Sequence, residues 1–322
     1  MRIKELDSIR GIACLMVVLF HYTTRYAIIF DTDKTTEILD FKYGGLGVSL
    51  FFMISGFVIY LSIINVKDVK TFFIKRFIRL YPIFWICMLT TFTIMNLSPL
   101  EKYHRGIGDL IFNITMVPDI FGFQRIDGSY WSLLPELMFY LAIGFTLFLK
   151  KVKYFTYICF GWLILILLNH FHDVMPLRIL FNLKYGYFFI IGICFYKIKF
   201  EKPLLVNHIL IFLSYAVYIL NIGLSIKTFF IGFFILIFYL FVYGKLKWII
   251  IKPLIFLGKI SYPLYLLHQF IGYYIIFSLL ENNVSNSLIL LMTPLIFTIA
   301  LSFLYTEYLE KKAILFLRKK LL

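Results

Sequence analysis

The chain has 322 residues, 61% of them hydrophobic and only 15% charged, with a formal net charge of +15. An average soluble domain is about half apolar with about a quarter of its residues charged, so a soluble fold could not hide this much apolar side chain. The composition excludes a soluble domain and points to a polytopic membrane protein. The positive charge is not a nucleic-acid footprint, because its distribution follows membrane topology.

A hydrocarbon core of roughly 30 Å takes about 20 helical residues, and the chain offers about ten such runs. They are expected near 9–29, 44–64, 78–97, 129–149, 154–170, 181–197, 204–222, 227–244, 258–280 and 287–308. The first run follows Arg2, Lys4 and Arg10, as a signal peptide would. It is longer than a signal core of roughly 7–15 residues and no small-residue cleavage site follows, so it reads as a retained helix. Arg10 stands at its start and His21 near its far end. The second run, GGLGVSLFFMISGFVIY, carries Gly44, Gly45, Gly47 and Gly56, which allow close helix approach or a cavity-lining backbone, and Ser55, expected to be buried.

At the third run, KRFIRLYPIFW places Arg76 and Arg79 on one helix face. Their guanidinium forks suit phosphate oxygens, and Tyr81 and Trp85 offer rings for stacking. Pro82 fits a first helical turn. The gap 98–128 is expected to hold a short amphipathic or re-entrant piece near 107–120. The fourth run, GSYWSLLPELMFY, brings Tyr130 and Trp131 as interface anchors and then Glu136. Lys184 interrupts the sixth. The ninth, SYPLYLLHQ, carries His268.

The loops orient these spans. Most of the 32 Lys and Arg residues fall at the termini and the even-numbered gaps, and most of the acids fall on the other side. Both termini are therefore expected in the cytoplasm, and the charge is expected to attract anionic lipid. Cys14, Cys87, Cys159 and Cys194 lie in apolar runs without ligand spacing, so buried, inert thiols are expected and no metal site. The chain reads as one transmembrane domain, 1–322, with no appended soluble domain.

Ionisable groups inside apolar runs are functional candidates by default. His21 lies about 18 Å past Ile9 along its helix, and Glu136 about 9 Å below the opposite interface. The two depths agree within a few ångströms. His268 is about 15 Å in if its helix begins near Gly258. A neutral imidazole can take a proton from a hydroxyl, and a carboxylate can orient it. The alternative is a polar residue hydrogen-bonded across packed helices. His104, His170, His172 and His208 sit at gaps or helix ends and read as solvated. Arg10 and His21 are about 16 Å apart along the helix, a span comparable to that of a phosphopantetheine arm.

These segments together resemble membrane acyltransferase family 3. The matching pieces are LDSIRGIACLMVVLFHY, FFMISGF, RFIRLYPIFW, WSLLPELMFY and LGKISYPLYLLHQ, in order across residues 6–312. One departure stands at the last helix, where Glu310, Lys311 and Lys312 lack the proline of a Glu-Lys-Pro-like ending. The resemblance implies transfer of an acyl group, usually acetyl, from cytoplasmic acyl-CoA to a hydroxyl of a cell-surface or lipid-linked glycan such as O-antigen, capsule or exopolysaccharide. It implies a multi-pass protein of the bacterial inner membrane. Acetyl-CoA would be a cosubstrate, with no permanently bound cofactor and no nucleic-acid partner; a homo-oligomer is compatible with it. Carried over by position, His21 would be the catalytic base or acyl carrier, with Glu136 as its orienting partner. Arg10, Arg76, Arg79, Tyr81 and Trp85 would serve the donor, and Ser55, Trp131 and His268 would line the acceptor cavity. A transporter or flippase for lipid-linked sugars fits the spans and central ionisable residues equally well, and a structural subunit of a polysaccharide-assembly complex is a third reading.

Overall fold

The computed structural model describes residues 3–66 and 68–322; Arg2 and Lys67, which belong to the charge pattern above, lie outside them. In chain order the helices are α1 (Lys4–Phe30), α2 (Gly44–Ile64), α3 (Val69–Leu97), α4 (Ile107–Asn113), α5 (Gly128–Phe148), α6 (Val152–Phe171), α7 (Met175–Leu180), α8 (Gly186–Phe200), α9 (Leu205–Ile222), α10 (Ile226–Val242), α11 (Lys252–Glu281) and α12 (Ser287–Leu321). Among the described residues there is no strand. An all-helical chain satisfies each backbone group within its own segment, as lipid requires. Among the described residues eight helices are long and apolar enough to span a membrane, and the protein is an all-α integral membrane protein. The other two expected spans fall on α8 and α10, which have 15 and 17 residues. Lys184 lies in the turn before α8, not inside it.

Three boundaries differ from the hydropathy reading. Helix α3 starts at Val69 rather than near 78 because Asp68 caps it: Thr71 N–H and Thr71 Oγ1–H both donate to its carboxylate, at 2.8 Å each. Those two bonds hold the Asp68 carboxyl below its usual range. Pro82 therefore sits inside α3, not in its first turn. Helix α11 starts at Lys252, with Pro253 pre-set for its first turn. His268 is then about 24 Å from the helix start instead of about 15 Å. Helix α12 runs on to Leu321. With Lys312 where a proline would stand, nothing ends the helix there.

The chain forms two compact units. One holds the described residues of 1–6 together with 48–74 and 135–251. Its core stacks Phe189 on Phe139 at 4.2 Å and on Phe52 at 4.9 Å between ring centroids. A Cβ on Gly56 would strike the Phe189 backbone, so this glycine lets α2 and α8 touch.

The other unit holds 7–47, 75–134 and 252–322. Here α1 and α11 cross backbone to backbone: a Cβ on Gly11 would meet Leu254, and one on Gly258 would meet Asp7. Two of its helices carry a π-helical turn, His21–Arg25 in α1 and Tyr305–Glu310 in α12. Such a turn inserts a residue and re-aims the side chains beyond it, and is frequent at functional sites.

The segment 98–128 folds back along α3. Trp85 Nε1–H donates to Ile114 O at 3.0 Å, and Tyr81 Oη–H donates to Thr115 O at 3.4 Å. Trp85 lies about 18 Å before the end of α3, and Tyr81 about 24 Å. The segment is thus a re-entrant hairpin built on α4. Buried Asn113 closes it, donating to Asp109 O and Gln124 O and accepting from Ile126 N–H. Ile107, Ile111, Ile114, Ile120 and Phe121 stay exposed. Irregular backbone survives at such depth where it is buried against protein that satisfies its polar groups.

Candidate active site

His21 opens the π-helical turn of α1. Its Nδ1 lies 2.8 Å from Val17 O and 3.2 Å from Nε2 of His268. A carbonyl oxygen only accepts, so His21 Nδ1 carries the proton. His268 Nδ1 lies 2.8 Å from Tyr265 O and carries its proton for the same reason. His268 Nε2 is then a bare lone pair facing the His21 Nδ1–H. The two rings meet edge to face, 4.8 Å between centroids. One arrangement of protons satisfies all three contacts, and it leaves the lone pair of His21 on Nε2.

The surroundings hold this pair. His268 is fully buried. Tyr22 Oη–H donates to His268 O at 2.9 Å and lies 3.0 Å from Thr298 Oγ1. The Tyr22 ring crosses α11 at Gly272, where a Cβ would collide with it. Thr23 Oγ1–H donates to Leu19 O at 2.7 Å, and Thr24 bonds to Asp40, so the π-helical turn is tied to the loop that follows α1.

The segment 127–130 grips α11 beside His268. The buried Asp127 carboxylate accepts from Ser129 N–H (2.7 Å), Ser129 Oγ–H (2.6 Å) and Phe270 N–H (3.0 Å). Burial pushes its carboxyl above the usual range, and those donors pull it back. Tyr130 Oη–H donates to Leu266 O, and Ser129 Oγ lies within reach of Tyr265 O.

A second cluster lies in the same unit. Arg79 pairs with Glu310, an acid in the π-helical turn of α12 whose side chain is 3% exposed. The Arg10 charge also acts on Glu310. One turn before Glu310 on α12, Glu307 pairs with both Lys259 of α11 and Lys311. Arg10 and Arg79 thus gather at one acid, which the loop-charge argument did not single out. Arg76 is half-buried one turn before Arg79. Tyr81 and Trp85 continue an aromatic ladder from Phe77, with centroids 5.0 Å and 5.6 Å apart; their polar atoms hold the re-entrant hairpin.

Glu136 belongs to the other unit. Its carboxylate accepts from Ser55 Oγ–H at 2.9 Å and from Tyr140 Oη–H. The structure therefore brings Ser55 to Glu136 and His21 to His268. Trp131 is half-buried in the short turn that leads into α5. His104, His170 and His172 are exposed as expected, whereas His208 is half-buried and its ring lies parallel to Tyr239. All four cysteines are buried and free, and among the described residues no cluster of three His, Cys, Asp or Glu side chains could hold a metal ion.

Sequence reasoning missed Glu310, Tyr22, Asp127 and Gly272. Asp127 had a signal, since Asp-x-Ser before a helix is a capping pattern. Glu310 also had one, as an acid amid cations on a helix end. Tyr22 and Gly272 had none.

Helices of membrane-spanning length, an imidazole pair and an arginine cluster gathered at one buried acid characterise this unit of a membrane protein. Residues 3–307 match the family model described as an acyltransferase domain, and the chain belongs to that family. It is 25% identical over 162 residues to nodulation protein 10 of Rhizobium leguminosarum bv. viciae, covering 44% of this chain and 43% of that protein. It is 28% identical over 159 residues to the acyltransferase MdmB of Streptomyces mycarofaciens, covering 47% of this chain and 40% of that protein. A provisional acetyltransferase of Acidianus two-tailed virus is 24% identical over 285 residues, 82% of each chain. The matches to the first two thus span less than half of either relative's length. No solved structure matches the chain.

Proposed function

We propose that the chain is an integral membrane O-acyltransferase, with both termini in the cytoplasm of a bacterial cell and the protein in its inner membrane. It moves an acyl group, acetyl in the simplest case, from cytoplasmic acyl-CoA to a hydroxyl of a cell-surface or lipid-linked glycan. The observation that carries the chemistry is the proton arrangement at His21. Nδ1–H is held by Val17 O and His268 Nε2, so Nε2 is the base. Family membership supplies the reaction class.

In this reading Nε2 of His21 takes the proton of the sugar O–H as the oxygen attacks the thioester carbonyl carbon. The C–S bond then breaks, and the departing thiolate takes the proton back from Nε2. The products are the O-acyl sugar and free CoA thiol. His268 acts as a positioning residue: it fixes the tautomer and receives a stronger hydrogen bond when His21 becomes cationic. Arg10, Arg76 and Arg79 serve the donor phosphates, with Tyr81 and Trp85 on the same helix. Glu136, Ser55 and Trp131 are assigned to the acceptor side on the family resemblance. The whole chain acts as one transmembrane catalytic domain.

Purified protein in lipid nanodiscs, given labelled acetyl-CoA and glycan from its own cell surface, tests this. Wild type should consume acetyl-CoA and label the glycan, and His21→Ala should lose about 10²–10⁴ of the rate. A His21→Ala protein working at wild-type rate would remove the assignment. A wild type that moves lipid-linked sugar without consuming acyl-CoA would make the protein a transporter.

A further inference from the structure

Between the re-entrant hairpin and α11 lies a cavity of about 390 Å³. No step of the acyl transfer above uses it. Its volume falls in the lower part of the range for ligand pockets, roughly 300–1,000 Å³. Tyr103 and Phe123 supply aromatic wall from the hairpin, and Gln269 and Tyr273 supply polar groups from α11.

Two oxygens of these residues have no hydrogen-bond partner, Gln269 Oε1 and Tyr273 Oη. Tyr273 is 1% exposed. A buried polar group left unpaired costs about 1–3 kcal/mol, so two of them beside one cavity are a standing demand for a ligand with hydroxyls. The charged groups of the wall are already satisfied. Arg125 Nε donates to Asp119 at 2.8 Å, and the Arg105 guanidinium donates to the carbonyls of Tyr103, His104 and Arg125. Both guanidiniums of the wall are thus already engaged by protein acceptors. Rings that cover an apolar C–H face, together with planar and hydroxyl groups that meet its edge, are the chemistry that recognises an uncharged sugar.

Tyr273 and Gln269 link the cavity to the imidazole pair. The Tyr273 ring is 6.3 Å from the His21 ring, and Gln269 directly follows His268. Gly128 closes the remaining wall: a Cβ there would come within 2.6 Å of Gln269 Nε2, so only glycine leaves the amide where it stands.

We propose that this cavity is the acceptor subsite, and that it holds one uncharged sugar ring with a hydroxyl directed at His21 Nε2. The inference rests on the acyltransferase reading, adds the site and charge class of the acceptor, and replaces the acceptor-side assignment of Glu136, Ser55 and Trp131, none of which lines this cavity. The test uses the full chain in nanodiscs with labelled acetyl-CoA and a panel of methyl hexosides, a methyl glucuronide and glycerol phosphate. We expect acetylation of at least one uncharged hexoside. Tyr273→Phe, which removes a single oxygen, Gln269→Ala and Gly128→Ala should each raise the hexoside KM tenfold or more while the acetyl-CoA KM stays within twofold. An unchanged hexoside KM in all three folded variants overturns the subsite and leaves acyl transfer standing. Acetylation restricted to the glucuronide or to glycerol phosphate overturns the charge class. Acetyl-CoA turned over with no hexoside labelled overturns the sugar, and acetyl-CoA left untouched by wild type overturns the enzyme reading itself.

Discussion

Replacing His268 by alanine removes the lone pair that faces His21 Nδ1–H at 3.2 Å. In the ground state that is a bond between neutral rings. As His21 takes the sugar proton it becomes a bond to a cation, worth about 1.5–3 kcal/mol net. Only the excess over the neutral bond, about 1–1.5 kcal/mol, acts on kcat, so at about 1.4 kcal/mol per tenfold the loss should lower it roughly five- to twelvefold. The acetyl-CoA KM should stay within about twofold, because the bond strengthens only as the proton moves. The substitution also opens a void in a fully buried site, and large-to-small changes of that kind lower stability by roughly 2 kcal/mol or more. Two measurements separate the effects. Thermal unfolding in detergent reports the void, and His268→Gln, whose side-chain oxygen reaches the place of Nε2 and can accept from His21 Nδ1–H, should recover much of kcat. A folded His268→Ala protein with kcat within threefold of wild type would refute the positioning argument. So would a loss that follows the melting temperature and is not recovered by glutamine.

Gly272→Ala places a methyl group where the Tyr22 ring passes. It should lower stability by about 1–3 kcal/mol, as overpacking does, and lower kcat by displacing the turn that presents His21; unfolding and turnover measured together check this. Arg79→Ala strips the partner from the buried Glu310 carboxylate, at a cost of about 1–3 kcal/mol for a buried group left unsatisfied. It should raise the acetyl-CoA KM, and adding Glu310→Gln should restore stability without restoring KM. The Asp127 carboxyl titrates above its usual 3.8 in the fold. The folded protein therefore holds that proton more tightly than the unfolded chain, and its contribution to stability is full below pH 3.8 and lost as pH rises through the raised value. Asp127→Asn should flatten that segment of the wild-type stability curve, and a difference curve without slope there would contradict the assignment.

Much of the fold was legible because lipid imposes a coarse rule. A run of about 20 apolar residues is a helix whatever its partners are, and Arg10, His21, Glu136 and His268 stand out as ionisable groups in such runs. A short amphipathic or re-entrant piece near 107–120 was legible too, inside the long gap 98–128. Helix starts were less so. Asp68 and Pro253 begin α3 and α11 by capping and by a preset backbone, and a hydropathy window averages both away.

What hydropathy does not carry is rotation about each helix axis. Helices apolar on every side show no preferred face, so nothing in the spacing says which groups meet. Matching depth suggested Glu136 for His21. The tertiary structure gives His21 a bond to His268, and Glu136 bonds to Ser55 and Tyr140. The reason is local: the π-helical turn at His21–Arg25 re-aims the imidazole, and Gly272 lets Tyr22 lock α11 against it. The sequence by itself determined the solvent, the class of fold and the short roster of groups able to do chemistry. The tertiary structure decided which of them share a proton, because that depends on side-chain direction to within an ångström and on backbone approaches that only a few glycines permit.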